Sequence, residues 1–297
     1  MSSTITPPSS QMTGLMFAAG SALSLSILTT AATFAYRGGA DPVTLIAARA
    51  MSGFLSAAFL VLLLRQRPRI APGNGGFMLI MSVGQLMINF GYMTSVLYIS
   101  VSLAALIFYI FPVLVMLIEA IISKRKPTPL EAATFAAAFI GLGLALGPSF
   151  ENLDWRGLVA ALTATAGGTM LMVAGSRAVR RAGALPTFFH MQFIACSVTA
   201  MVMLAFDGPT LPETSLGAWG LGVACAGYVI GVGMQVIAIK LVEPALVSLI
   251  YNLEPLGTLI IAAWLLSERL DTLQYLGGGL VLLSIIIAGQ RASRRQS

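Results

Sequence analysis

Ten apolar runs, each of about twenty residues, follow one another with short polar punctuation: 14–36, 42–64, 77–98, 102–123, 130–147, 155–176, 185–206, 216–241, 244–266 and 273–289. At 1.5 Å rise per residue, a run of this length crosses the roughly 30 Å hydrocarbon core of a bilayer. No water is available there to satisfy backbone N–H and C=O groups, so the spans must be helices or a closed barrel, and runs this long and continuously apolar predict helices. The balance of residues agrees: 57% are hydrophobic and 9% charged, with a mean hydropathy of +0.89, whereas a soluble domain carries roughly 25% charged residues to cover its surface. A soluble enzyme, a secreted disulfide scaffold and a disordered linker are excluded. The expected fold is an all-α integral membrane protein of ten transmembrane helices, with little chain left for a soluble domain.

The scarce charges report orientation. Residues 1–13 are polar and contain no Lys or Arg, so a cleaved signal peptide is not expected. Of 17 Lys and Arg, 13 fall in alternate loops and the C-terminal tail: Arg65, Arg67 and Arg69; Lys124, Arg125 and Lys126; Arg177, Arg180 and Arg181; Lys240; Arg291, Arg294 and Arg295. The other loops keep Arg37, Arg156 and Arg269 among Asp41, Glu151, Asp154, Asp207, Glu213, Glu268 and Asp271. The positive-inside rule then puts both termini in the cytoplasm. This topology accounts for the net charge of +6 and pI near 9.7, and no basic stripe with interleaved aromatics points to nucleic acid.

An offset of 143 residues superposes the two halves: Gly14-Leu15 on Gly157-Leu158, Gly84 on Gly227, and Phe111-Pro112 on Glu254-Pro255. Five spans per half is an odd number, so the second copy must be inverted in the membrane. The charges record the inversion, since the arginine-rich loop between spans two and three corresponds to an acidic loop between spans seven and eight. The expected organisation is a tail at 1–13, one repeat at 14–150, its inverted copy at 151–290 and a basic tail at 291–297. Two copies able to exchange conformations around a shared midplane site suit a carrier.

Polar side chains at membrane depth are costly and mark candidate sites. In span three Gln85, Asn89 and Tyr92 share one helical face, and at the repeat offset span eight carries Tyr228, Val232 and Gln235. These can line one cavity, or act as interhelical hydrogen-bonding glue. Span four holds Tyr109-Ile110-Phe111-Pro112 and span nine Tyr251-Asn252-Leu253-Glu254-Pro255. Each proline removes a backbone donor in mid-span, so Pro112 and Pro255 are expected hinges, with Tyr109, Phe111, Tyr251 and Asn252 either lining the cavity or packing the bundle. Glu254 is the carboxylate nearest the midplane and can carry a proton for coupling or be satisfied by a neighbouring helix. Arg49, inside span two, can attract a substrate carboxylate or snorkel and pair. His190 reads as a structural histidine near a membrane face with Gln192 as a companion, Glu119 as interfacial, and Cys196 and Cys225 as small apolar fillers. There is no HExxH, no Asp within a span and no serine with a positioned base, so neither enzyme activity nor a metal or cofactor is expected.

These features together, with Asn252-Leu253-Glu254-Pro255 followed by an apolar run to Ser267-Glu268-Arg269-Leu270 and then Gly277, resemble the drug/metabolite transporter superfamily and, within it, the EamA-type exporters. The resemblance covers essentially the whole chain. Tyr109-Ile110-Phe111-Pro112 is similar to a stretch in the aromatic amino-acid exporters of that superfamily, which implies that Tyr109 and Phe111 line the substrate cavity. Ser267 departs from the usual glycine before Glu268, and Arg125 stands at the first-half counterpart of Glu268. The resemblance implies a monomeric, multi-pass carrier of the bacterial inner membrane that exports small metabolites, foremost aromatic and other neutral amino acids, by alternating access. Drug or other metabolite efflux is the alternative within the same fold, and a passive channel or membrane sensor the alternative outside it.

Overall fold

The polar residues between the apolar runs are helix caps, which is why the chain turns where it does. Asp41 accepts the N–H of Thr44 ahead of Pro42, Ser100 that of Leu103, and Thr214 that of Gly217, while Thr128 and Glu131 close a capping box around Pro129. Gly147 ends one helix in the left-handed region at φ 51°. The structure, a computed structural model, describes residues 8–150, 153–205, 208–266 and 270–294. Its helices are α1 Pro8–Arg37, α2 Pro42–Leu63, α3 Gly75–Ser95, α4 Val101–Phe108, α5 Phe111–Ile122, α6 Pro129–Leu146, α7 Trp155–Ala182, α8 Ala184–Ala205, α9 Ser215–Leu241, α10 Pro244–Ile250, α11 Leu253–Leu266 and α12 Thr272–Arg294.

They form ten spans of membrane-crossing length and hydropathy, with no strand among the described residues. Spans four and nine are each made of two helices, α4 with α5 and α10 with α11. Span one is longer than its apolar run, because α1 begins at Pro8 rather than at Gly14. Large apolar side chains such as Leu62, Ile121, Leu204 and Trp264 are more than 70% exposed, as lipid-facing groups must be. Trp155 and Trp219, both exposed, lie in the first turn of α7 and the second turn of α9 and suit a membrane interface.

One end of the bundle gathers the arginine-rich loops and is called here the basic end. There His190 Nε2 meets the Pro68 carbonyl at 2.7 Å, Asn74 Nδ2 donates to Ala178 O at 3.0 Å, and Arg291 donates to Thr128 Oγ1 at 2.8 Å. At the opposite, acidic end, Glu213 N–H donates to Gly38 O at 2.8 Å and Thr210 N–H to Thr44 Oγ1 at 2.9 Å.

Small residues set the helix crossings. Gly84 of α3 and Gly167 of α7 face each other so closely that a Cβ on either would lie 2.6 Å from the other's carbonyl oxygen. The inverted copy of that crossing is α9 on α1, where a Cβ on Gly227 would meet Ser24 O at 2.9 Å. Gly141 and Gly277 make a third reciprocal contact between α6 and α12. With no hydrophobic force between helices in lipid, such close backbone approach supplies the packing.

The repeat symmetry is broken along the membrane normal. At the basic end α5 packs on α10 and α7 on α9; their symmetry mates at the acidic end, α4 with α11 and α1 with α3, make no comparable packing among the described residues. Instead α4 leans on α7 and α11 on α1. The symmetry-related pairs are thus packed more closely at the basic end than at the acidic end.

Candidate functional site

The two broken spans organise the middle of the bundle. Both breaks fall on a tyrosine and the residue after it, Tyr109-Ile110 and Tyr251-Asn252, ahead of Pro112 and Pro255. Proline cannot donate to the carbonyl one turn back, and both neighbouring helices and the local backbone serve carbonyls near the breaks. Thr165 Oγ1 donates to Ile107 O at 2.8 Å, Ser26 Oγ to Glu254 O at 2.8 Å, and Glu254 N–H to Tyr251 O at 3.0 Å. Asn252, expected in the cavity, uses its amide on this break: Nδ2 donates to Leu249 O at 2.8 Å and the residue is buried.

Around the first break four rings form a continuous aromatic surface. Tyr92 contacts Phe108 edge-on at 5.9 Å between centroids, and Phe108 contacts Tyr109 at 5.0 Å and Phe111 at 5.1 Å. Phe111 is buried against Gly168 of α7. The Tyr109 hydroxyl stands beside the Glu254 carboxylate, so the two broken spans approach each other side chain to side chain. Glu254 is half-buried and lies within electrostatic reach of Tyr92, Tyr251 and Arg49. Tyr251 bonds through its hydroxyl to Ser21 of α1, which in turn donates to Gly231 O of α9 at 2.6 Å.

A second cluster sits between α2, α8 and α9. The Arg49 guanidinium lies over the Tyr228 ring, 5.5 Å from its centroid, and the Tyr228 hydroxyl donates to Gln192 Oε1 at 3.1 Å. Gln192 is wholly buried, and its Nε2, like Nε of Arg49, has no hydrogen-bond partner. Gln85 and Asn89 share the α3 face at 3.4 Å, and Gln85 and Gln235 are both buried. His190 is satisfied at the basic end by the Pro68 carbonyl, and Glu119 pairs with Arg177 there at 2.8 Å.

The structure therefore brings Tyr92, Tyr109, Tyr251 and Glu254 together, with Arg49 and Tyr228 across from them. Phe108 and Gln192 belong to these clusters although sequence reasoning gave them no central part. A recess of about 940 Å³ opens at the basic end, lined by Glu119, Arg125, Arg177, Glu243 and Arg291 among others, and its lining ends at Met116 and Leu246 without including the aromatic cluster. Fully buried Val115 and Val247 belong to helices α5 and α10, which pack together at this end.

The profile of the EamA-like transporter family matches the sequence twice, over residues 12–147 and 155–290. From 12 to 155 and from 147 to 290 the step is the same 143 residues that superposes the halves. Twenty-eight solved chains match in structure. One crystal structure superposes with a TM-score of 0.75 at 19% identity, covering 96% of this chain and 99% of the other, a likeness of fold alone. No curated protein matches.

Proposed function

Because the chain belongs to the EamA-like transporter family, we propose that it is a bacterial inner-membrane carrier that exports neutral amino acids, aromatic ones foremost. The observation that carries this reading is the juxtaposition, at membrane depth, of an aromatic wall (Tyr92, Phe108, Tyr109, Phe111) with separated charged groups (Arg49, Glu254). An amphipathic metabolite needs both: rings for its side chain, and polar groups for its backbone-like head. Gln85, Asn89, Tyr228 and Gln235 complete the polar lining, and Tyr251, Asn252, Pro112 and Pro255 give the broken spans their freedom to bend.

The Lys/Arg bias supports a basic end, and so both termini, in the cytoplasm. With that sidedness the less closely packed acidic end faces outward. The return step closes α4 on α11 and parts α5 from α10, exchanging the two repeats' packing. Either repeat, 14–150 or 151–290, supplies half of each gate, so a monomer suffices.

Counterflow in proteoliposomes tests the reading. Protein loaded with unlabelled substrate should accumulate labelled phenylalanine, tryptophan, threonine or methionine above equilibrium. No counterflow with any of the four contradicts it.

A further inference from the structure

Arg49 lies within electrostatic reach of Glu254, and the two form no ion pair within 4.0 Å. Among the described residues the ion pairs within 4.0 Å are Arg125–Glu131 and Arg177–Glu119, both at the basic end. Arg49 has the face of Tyr228 beneath it and a buried, unpartnered Nε. Glu254 has the Tyr109 hydroxyl. Each is engaged on its own side of the bundle, Arg49 among α2, α8 and α9 and Glu254 between α11 and α4. Spans two and nine do not pack on each other. Two opposite charges in a low-dielectric medium close into contact unless something holds them apart, because an unpaired charge there is strongly disfavoured. Here Arg49 is held over Tyr228 and Glu254 stands beside Tyr109, a member of the aromatic wall.

Resting on the amino-acid reading above, we propose that Arg49 and Glu254 are the two halves of a zwitterion receptor. The substrate carboxylate is taken by Arg49 and its ammonium by Glu254, with the side chain on Tyr92, Phe108, Tyr109 and Phe111. An α-amino acid carries both charges on one carbon and so satisfies both residues at once. An acid without the amine leaves Glu254 unpaired, and an amine without the acid leaves Arg49 unpaired. Selectivity against both follows from the cost of an unmatched group in a buried site. Gln192 and Tyr228 act as positioning residues that hold the guanidinium. Glu254 on this account binds substrate in every half-cycle instead of ferrying a proton.

The test is competition against labelled phenylalanine counterflow by three compounds: phenylalanine, 3-phenylpropanoate and 2-phenylethylamine. The full-length protein is compared with Arg49→Gln and Glu254→Gln. In the wild type each analogue should compete about thirtyfold more weakly than phenylalanine, the loss typical of one unmatched buried charge. Glu254→Gln should erase the advantage of phenylalanine over 3-phenylpropanoate while keeping its advantage over the amine; Arg49→Gln should do the reverse. Ligand-induced shifts in melting temperature read the same ratios where flux is too low, and Arg49→Met and Glu254→Met, which also remove the charge, replace any variant that fails to fold. Equal weakening of all three compounds by both variants overturns the receptor. So does a Glu254→Gln protein that keeps full phenylalanine exchange and loses only its response to a pH gradient. A wild type that exchanges no amino acid removes the amino-acid reading itself, an outcome distinct from either.

Discussion

Gly53 shows how a single residue can set the geometry of a site it does not belong to. A Cβ there would fall 1.7 Å from Gln192 Nε2 and 3.2 Å from Tyr228 Cε1, so Gly53→Ala must push Gln192 off Tyr228 and release the support under Arg49. Overpacking of this kind costs about 1–3 kcal/mol, and the variant should melt earlier and lose counterflow; wild-type melting and flux would contradict the packing described. Asp41 offers a titration at the acidic end. Burial pushes its carboxyl upward, but hydrogen bonds from Thr44 and Thr210 outweigh this and hold it below the usual carboxylate range. Its contribution to stability is thus complete above the unfolded pKa of about 3.9 and is lost as pH falls through the lower folded value. Melting of wild type between pH 5 and 3 should fall more steeply than that of Asp41→Asn, whereas parallel curves would remove Asp41 from the account. At this scale the costliest residues were the most legible: an arginine and a glutamate inside apolar runs announce themselves. Gln192 did not, because a glutamine in a span is equally at home bonding any neighbour, and its tie to Tyr228 of another span exists only in the folded bundle.

The element scale was legible in its spans and repeats, less so in its breaks. Ten apolar runs and a constant offset predict ten helices in two copies, since lipid leaves the backbone no alternative. The prolines marked spans four and nine as special, yet both breaks fall ahead of them, on the tyrosines. Pro112 is the second residue of α5 and Pro255 the third of α11, so aligning the prolines misregisters the breaks by one residue. Helix crossings follow from glycine only where a neighbour's backbone is near. Gly84→Ala would set a Cβ 2.6 Å from Gly167 O and 2.9 Å from Leu171 N, backbone that cannot swing aside, and should cost about 1–3 kcal/mol. Gly222→Ala in α9 meets nothing within 4 Å and should stabilise by up to about 1 kcal/mol. Melting of the two variants in detergent measures both, and comparable destabilisation would refute the crossing geometry.

For the whole molecule, the informative feature is asymmetry between halves that are otherwise equivalent. Sequence alone foresees two states related by the repeat and cannot say which one the chain adopts, since the choice rests on tertiary contacts of a few residues. The basic end is fastened by Glu119 of α5 on Arg177 of α7, at 2.8 Å, and by Arg180 reaching Val242 O at 3.4 Å. Reversing one charge, Arg177→Glu, should loosen that end and raise the reactivity of a cysteine placed at the fully buried Val115 of α5 towards a membrane-impermeant reagent added from the basic side. The double reversal with Glu119→Arg should restore protection; unchanged reactivity in the single variant would mean the pair does not hold the gate. The central claim is that this is a carrier whose substrate passes as a zwitterion through a site exposed to one side at a time. Trans-stimulation tests it most directly: efflux of labelled phenylalanine from proteoliposomes, with and without unlabelled phenylalanine outside. The account predicts saturable efflux accelerated by the external amino acid and unaffected by external 3-phenylpropanoate at the same concentration. Efflux that rises linearly with concentration and ignores the opposite side would identify a passive pore and contradict it.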